Sequence, residues 1–169
     1  MAWLALDAGD DDPARFWRYL LAAVERALPG LTSEAQQLLN AAAPTEAALT
    51  SLLNRLAARS ASPLVLALDD YHLIAAPAIH SGMAFLLDHA PPNLHVVLAA
   101  RTQPPLPLAR LRARGQLAEL GAAELRMTPP EIAAFFRQVL GLDRPDRELA
   151  ALARTTEGWA AAVQLAGLS

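Results

Sequence analysis

The sequence predicts an α/β protein: a mainly parallel sheet with helical crossovers, followed by a carboxy-terminal helical unit. Short, mostly apolar runs occur at residues 2–6 (AWLAL), 64–68 (LVLAL) and 94–100 (LHVVLAA), the pattern of strands buried on both faces. Between them lie segments whose apolar residues recur at helical spacing, and such alternation implies parallel strands joined by right-handed connections. After about residue 127 only helical patterns remain. Residues 1–127 are therefore expected to form the α/β layer and 128–169 the helical unit.

The first run ends in Asp7-Ala8-Gly9-Asp10, a loop signal. Asp12 then offers an N-cap oxygen and Pro13 a first-turn residue with no N–H to satisfy. Phe16, Trp17, Leu20, Leu21, Val24 and Leu28 share one face of the helix expected over 13–28. Asp10, Asp11 and Asp12 suit the positive end of its dipole, with calcium binding as the alternative. Pro29-Gly30 stops this helix, and Ser33 with Gln36 reads as a capping box for a short second one. Thr45 opens a third, with Leu49, Leu52, Leu53 and Leu56 on one face and Ser60-Ala61-Ser62-Pro63 as its close. Ile79, Met83, Leu86 and Leu87 mark a helix over 77–89, ended by Pro91-Pro92. The strand at 94–100 runs into Arg101-Thr102. An arginine-studded helix is expected over 106–114 and a strand over 116–120. Thr128-Pro129-Pro130-Glu131 forms a second capping box before Ile132, Phe135, Phe136, Val139 and Leu140, and Gly141 stops that helix. Two further helices are expected, over 146–154 and from 158 onward.

Composition narrows the function. Apolar residues make up 54% of the chain and charged ones 18%, which favours a folded core over disorder. A net charge of −3 gives no broad basic field for nucleic acid or acidic membranes. The absence of cysteine excludes disulfides, thiolate metal sites and cysteine nucleophiles. No apolar stretch approaches the ~20 residues of a bilayer span, and no signal-peptide pattern opens the chain, so the expected setting is cytoplasmic with no membrane partner. All 14 basic residues are arginine.

The stretch LVLALDDYHLI carries the chemistry. Apolar residues followed by paired acids make the Walker B pattern of phosphate-loop NTPases, in which one carboxylate holds magnesium, usually through water, and its neighbour orients the attacking water. On that reading Asp69 is the Mg2+-side acid and Asp70 the water-orienting one; a solvated strand end carries the same pattern. Arg101 ends the next strand. If the two strands are neighbours, its guanidinium lies on the same sheet edge, to sense a terminal phosphate or simply to pair with the aspartates. Against catalysis stands the lack of any lysine and of the G-x-x-x-x-G-K-[ST] loop that grips phosphates. The same lack disfavours phosphoacceptor receiver domains and haloacid-dehalogenase-type phosphatases.

Other constellations are weaker. His72, His80, His89 and His95 show no metal-ligand spacing, and Ser81 lies in a helix rather than a nucleophile elbow. Arg110, Arg112 and Arg114 read as a solvated face or as a phosphate or subunit contact, and Trp159 reads as core.

Taken in order, AWLALDAGDDDPARFWRYLLAAV, LVLALDDYHLI, FLLDHAPPNLHVVLAARTQPPLPLARLRARGQLAEL, LRMTPPEIAAFF and TTEGWAAAVQLAGLS resemble the MalT-like large ATP-binding regulators of the LuxR family, which are STAND-class NTPases. The resemblance covers nearly the whole chain. It implies a partial P-loop NTPase three-layer fold (1–127) and the start of a helical arm (128–169). It also implies a switch in which ATP and Mg2+ are bound by the parent protein, with Asp69 and Asp70 matching the Walker B acids and Arg101 a sensor arginine. Arg112 matches a family arginine that serves nucleotide or a neighbouring subunit, and Trp159 the segment opening the last arm helix.

The resemblance further implies partners: a Walker A segment, a sensor domain and a helix-turn-helix (HTH) domain in the rest of the regulator, with DNA contacted only through the last. On that basis the chain is expected to be an internal piece of such a regulator, binding no nucleotide tightly and inactive as an ATPase alone. With the phosphate-loop strand missing from beside it, the 94–100 strand is expected to leave an apolar edge open to self-association. Two alternatives stay open: a non-enzymatic α/β interaction module, and a magnesium-dependent enzyme using Asp69 and Asp70 with other partners.

Overall fold

The structure, a computed structural model, describes residues 1–59 and 63–168. The Ser60-Ala61-Ser62 portion of the turn expected after the third helix lies outside them. The chain divides into two compact units, Met1–Leu108 and Ala109–Ser169; the sequence boundary near Met127 falls within the second.

The first unit is α/β. Its elements are β1 (Ala2–Ala5), α1 (Pro13–Ala27), α2 (Ser33–Asn40), α3 (Thr45–Ala57), β2 (Leu64–Asp69), α4 (Pro77–Asp88) and β3 (Leu94–Leu98). The strands form one parallel sheet in the order β1-β2-β3. A parallel connection needs a crossover, and the helical segments between the strands supply it.

Register explains which side chains are buried. Ala2 and Leu4 of β1, Leu64, Leu66 and Leu68 of β2, and Leu94, Val96 and Leu98 of β3 alternate onto one face. There they join Phe16, Trp17, Leu20, Leu49, Leu56, Ile79 and Met83 from the helices in a continuous core. The opposite face carries the row Trp3, Ala67, Val97. Trp3 is 54% exposed and Val97 51%, so the expectation of strands buried on both faces holds only for β2. β1 and β3 alternate because, within the first unit, helices cover one side of them more fully than the other.

Local signals account for some helix ends. Asp12 caps α1 by accepting the Arg15 N–H at 2.8 Å, with Pro13 in the first turn. The second helix corrects the expectation built on Ser33: its N-cap is Thr32, whose C=O accepts the Gln36 N–H and whose hydroxyl accepts from Gln36 Nε2 at 2.8 Å. Gly82 of α4 lies directly against the indole of Trp17, so the absence of a side chain lets α4 approach α1.

The second unit is helical: α5 (Leu108–Ala113, whose first residue belongs to the first unit), α6 (Ala122–Leu125), α7 (Pro129–Gln138), α8 (Asp146–Thr156) and α9 (Ala160–Gly167). Ile132, Phe136, Leu149 and Val163 form its core. Thr128 and Glu131 pair as expected at the start of α7; the Glu131 carboxylate accepts from the Thr128 N–H at 2.7 Å and from its hydroxyl at 2.8 Å. The strand expected over 116–120 does not form. Strands persist only where a ladder takes up their backbone groups, and no strand of this unit is present among the described residues to pair with it. Leu120 is 72% exposed. No helix among the described residues is long and apolar enough to cross a membrane.

Candidate functional site

The carboxyl edge of the sheet is extended and fixed by backbone bonds beyond the strands. The Leu6 N–H donates to the Asp69 C=O at 3.1 Å, the Ala99 N–H to the Leu68 C=O at 2.9 Å, and the Tyr71 N–H to the Ala99 C=O at 2.9 Å. Asp69 thus ends the central strand with a neighbour on each side, and its Oδ1 accepts the Asp70 N–H at 3.0 Å. Asp70 then takes φ +55, ψ 34, the left-handed region. That conformation costs an ordinary residue about 1–2 kcal/mol, less for aspartate, whose short polar side chain tolerates it. It turns the chain abruptly into the 3-10 turn Tyr71–Leu73.

Two contacts hold that turn. Tyr71 is buried and its hydroxyl lies 3.0 Å from His80 Nδ1 of α4. Burial pushes the phenol pKa up, so the hydroxyl keeps its proton at any ordinary pH. On the far side, Asp11 accepts the N–H groups of Ala75 and Ala76, both at 2.7 Å, tying the loop after β1 to the start of α4. The Ala76 bond, then that of Ala75, lowers the Asp11 carboxyl pKa. Asp10 is buried and accepts from the Asp7 N–H and from Arg15 Nε, both at 2.9 Å. The acidic run therefore splits its work: Asp12 caps α1, Asp10 holds Arg15, and Asp11 braces the site loop. Only the cap was legible from sequence.

The expected site residues fare differently. Asp69 and Asp70 adjoin at the end of β2. Arg101 follows β3 three residues after Leu98, the register partner of Leu68, so it belongs to the same carboxyl edge one strand over. It is exposed and forms no ion pair with either aspartate. His72 Nδ1 stands 3.8 Å from Asp70 Oδ1, too long for a hydrogen bond. Arg112 belongs to the second unit, where its Nε and Nη2 donate to Glu119 Oε2 at 3.0 and 2.6 Å.

Two side-chain carboxylates suit magnesium held partly through water and phosphate oxygens. No group of three or more His, Asp or Glu side chains arranged for a metal occurs among the described residues. An open cleft of about 570 Å3 lies beside the site loop, lined by Ile74, Ala75, Pro77, His80, Ser81 and neighbours, and does not include Asp69, Asp70 or Arg101.

No family model matches the chain. Along its whole length it is similar to the HTH-type transcriptional regulator MalT of Yersinia enterocolitica serotype O:8 / biotype 1B (strain NCTC 13174 / 8081), with 38% identity over 172 aligned positions. It is likewise similar to the HTH-type transcriptional regulator MalT of Serratia proteamaculans (strain 568), with 40% identity over 171. Each alignment covers 100% of this chain and 19% of the relative, so the chain spans about one fifth of the length of the curated relatives it matches.

Proposed function

We propose, from the premise that the chain is MalT-like along its whole length, that it supplies the carboxylate and sensor-arginine part of an ATP-dependent switch in a transcriptional regulator. The observation that carries this reading is the carboxyl edge of a parallel sheet bearing Asp69 and Asp70 on its central strand and Arg101 just past the adjacent one. Ligands of open parallel sheets gather at that edge.

The chain's own residues divide the work. Asp69, its Oδ1 already accepting the Asp70 N–H, would help to hold Mg2+ through water with its other oxygen. Asp70, turned off the strand by its left-handed backbone, is the group to orient a water for attack. Arg101, in no ion pair with a described residue, is the cation to meet a terminal phosphate. Bound Mg2+ would contribute charge neutralisation of the nucleotide's phosphates. The lysine and glycine-rich loop that grip phosphates have no counterpart in these 169 residues. The chain alone is therefore expected to bind nucleotide feebly and to hydrolyse none, the gripping groups coming from another segment of the regulator. DNA contact belongs to the HTH part of such a regulator.

The test uses the chain with manganese-ATP, whose paramagnetic ion broadens nearby amide signals in two-dimensional NMR. At millimolar ligand, broadening is expected around Asp69, Asp70 and Arg101, and it should vanish in Asp69→Asn. Broadening centred elsewhere, or unchanged in that variant, would sink the reading. The exposed Trp3 and Val97 favour a second reading, a non-enzymatic interaction module that binds a protein through its sheet.

A further inference from the structure

The turn joining α8 to α9 is fixed more firmly than a simple helix connection requires. Glu157 and Gly158 both take left-handed backbones, at φ +50 and +77. The buried Thr156 hydroxyl donates to the Leu152 C=O at 2.8 Å and accepts the Gly158 N–H at 3.3 Å. The Trp159 N–H returns to the Thr156 C=O at 3.0 Å, and the Gly158 C=O accepts the Met127 N–H at 2.7 Å. A Cβ on Gly158 would meet the Met127 carbonyl oxygen at 2.5 Å, so only glycine permits this approach. Strain such as that at Glu157 persists where the surroundings over-determine it, and it clusters at ligand clamps.

The turn walls an open cleft of about 530 Å3, within the size range of ligand sites. Met127, Pro129 and Ala153 give it an apolar side, and Arg126, Arg154 and Glu157 a charged one. Arg126 Nη2 lies 3.1 Å from Glu157 Oε2, and the same guanidinium stands 5.8 Å from the Trp159 ring centre. Arg154 is exposed and has no ion-pair partner among the described residues. Two cations thus share one anion, a local positive excess in a chain whose net charge is −3. Trp159, expected in the core, is instead 45% exposed beside Arg126; exposed tryptophan and arginine are enriched at recognition surfaces.

We propose that this cleft docks an acidic peptide segment of a partner protein, a carboxylate of which is taken by Arg154 with help from Arg126. An aliphatic side chain next to that carboxylate rests on Met127, Pro129 and Ala153. Charge complementarity selects the occupant: one carboxylate neutralises the excess, whereas a phosphate's second charge would face Glu157 unpaired. Arg126 is already held by Glu157 and Trp159, so ordering it on binding costs little entropy.

The whole chain is titrated into a fluorescein-labelled, carboxy-amidated Leu-Glu-Glu-Leu peptide and followed by anisotropy. Binding is expected to weaken about tenfold or more for the Leu-Gln-Gln-Leu peptide and in Arg154→Glu, the size of effect that loss of a close charge pair brings. Arg154 is exposed on α8, and unchanged circular dichroism would show that the variant folds. Ala153→Glu, which sets a negative charge in the apolar wall, should weaken binding as well. Equal binding of the acidic and neutral peptides, indifference to both substitutions, or no anisotropy change up to millimolar protein would each overturn the proposal. So would displacement of the peptide by inorganic phosphate at matching concentration, which would mark a general anion site.

Discussion

Glu25 in the last turn of α1 offers a sharp test of how the first unit is held. Its carboxylate accepts the Gly30 N–H at 2.6 Å, the Thr32 hydroxyl at 2.7 Å and the Thr32 N–H at 2.9 Å, closing the connection from α1 to α2. These bonds, that of Gly30 foremost, hold the carboxyl pKa at about 2 against an ordinary 4.5. At 1.36 kcal/mol per pKa unit this corresponds to roughly 3 kcal/mol of charge-specific stabilisation, and solvent screening at this partly exposed site reduces it to about 1–2 kcal/mol. The folded value lies below the unfolded one. The contribution is therefore complete above about pH 4.5 and is lost as the pH falls toward 2. Glu25→Gln keeps one acceptor oxygen but turns an NH2 group toward N–H donors, so it should lower stability by about 1–2 kcal/mol at neutral pH. Urea unfolding is followed by tryptophan emission in a Trp159→Phe background, so that Trp3 and Trp17 report on the first unit. The urea midpoint should fall by roughly 1 M at neutral pH, and the difference from the parent should shrink to about a quarter of that at about pH 2.5. A deficit of equal size at both pH values, or none at neutral pH, would refute the assignment.

Two further outcomes follow from packing. Gly82→Ala gains helix propensity worth up to about 1 kcal/mol, but its methyl group overlaps the buried ring of Trp17. Overpacking costs roughly 1–3 kcal/mol, so the variant should melt several degrees lower in calorimetry, and equal or greater stability would show that α4 is free to move away from α1. The exposed Trp3 and Val97 and the unpaired side of β3 should make the chain self-associate as concentration rises in analytical ultracentrifugation, and Val97→Lys should shift it toward monomer. A parent chain that stays monomeric to millimolar concentration would remove the sheet as an interaction surface.

Sequence revealed the elements whose cause is local. Asp12-Pro13 and the apolar face that follows determine α1, and the runs at 64–68 and 94–100 determine β2 and β3, the latter ending at Leu98, because caps and burial periods act within a few residues. Features that depend on distant partners were not legible. Whether Trp3 and Val97 are covered depends on what lies against the second sheet face, which their own alternation does not state. The segment 116–120 has a strand's composition without a strand's neighbour. Trp159 was expected in the core because tryptophan usually buries much of its surface, but the turn fixed through Gly158 and Met127 leaves it half in solvent. In the site, Asp69 and Asp70 were visible as a motif, whereas Asp11 looked like one more capping residue. Its partners are the N–H groups of Ala75 and Ala76, more than sixty residues away.

Those long-range bonds bear on how the carboxylate pair is prepared for the role proposed for it. Two adjacent aspartates at a strand end repel, and a strand end is where a backbone frays most readily. Here the Asp69 C=O is held by the Leu6 N–H on one side, its neighbours Leu68 and Tyr71 are bonded to Ala99 on the other, and Asp70 is forced off the strand by a left-handed turn. The turn is anchored in turn by Tyr71 on His80 and by Asp11 on the start of α4. None of these anchors uses the carboxylates of Asp69 or Asp70 as its main support, apart from the Asp70 N–H on Asp69 Oδ1. The remaining oxygens are left to solvent or to a ligand while the backbone beneath them is held in place. Such division between bracing groups and available groups is what preorganisation requires. It is also why substituting Asp69 by asparagine should remove a metal-dependent signal without unfolding the sheet that presents it.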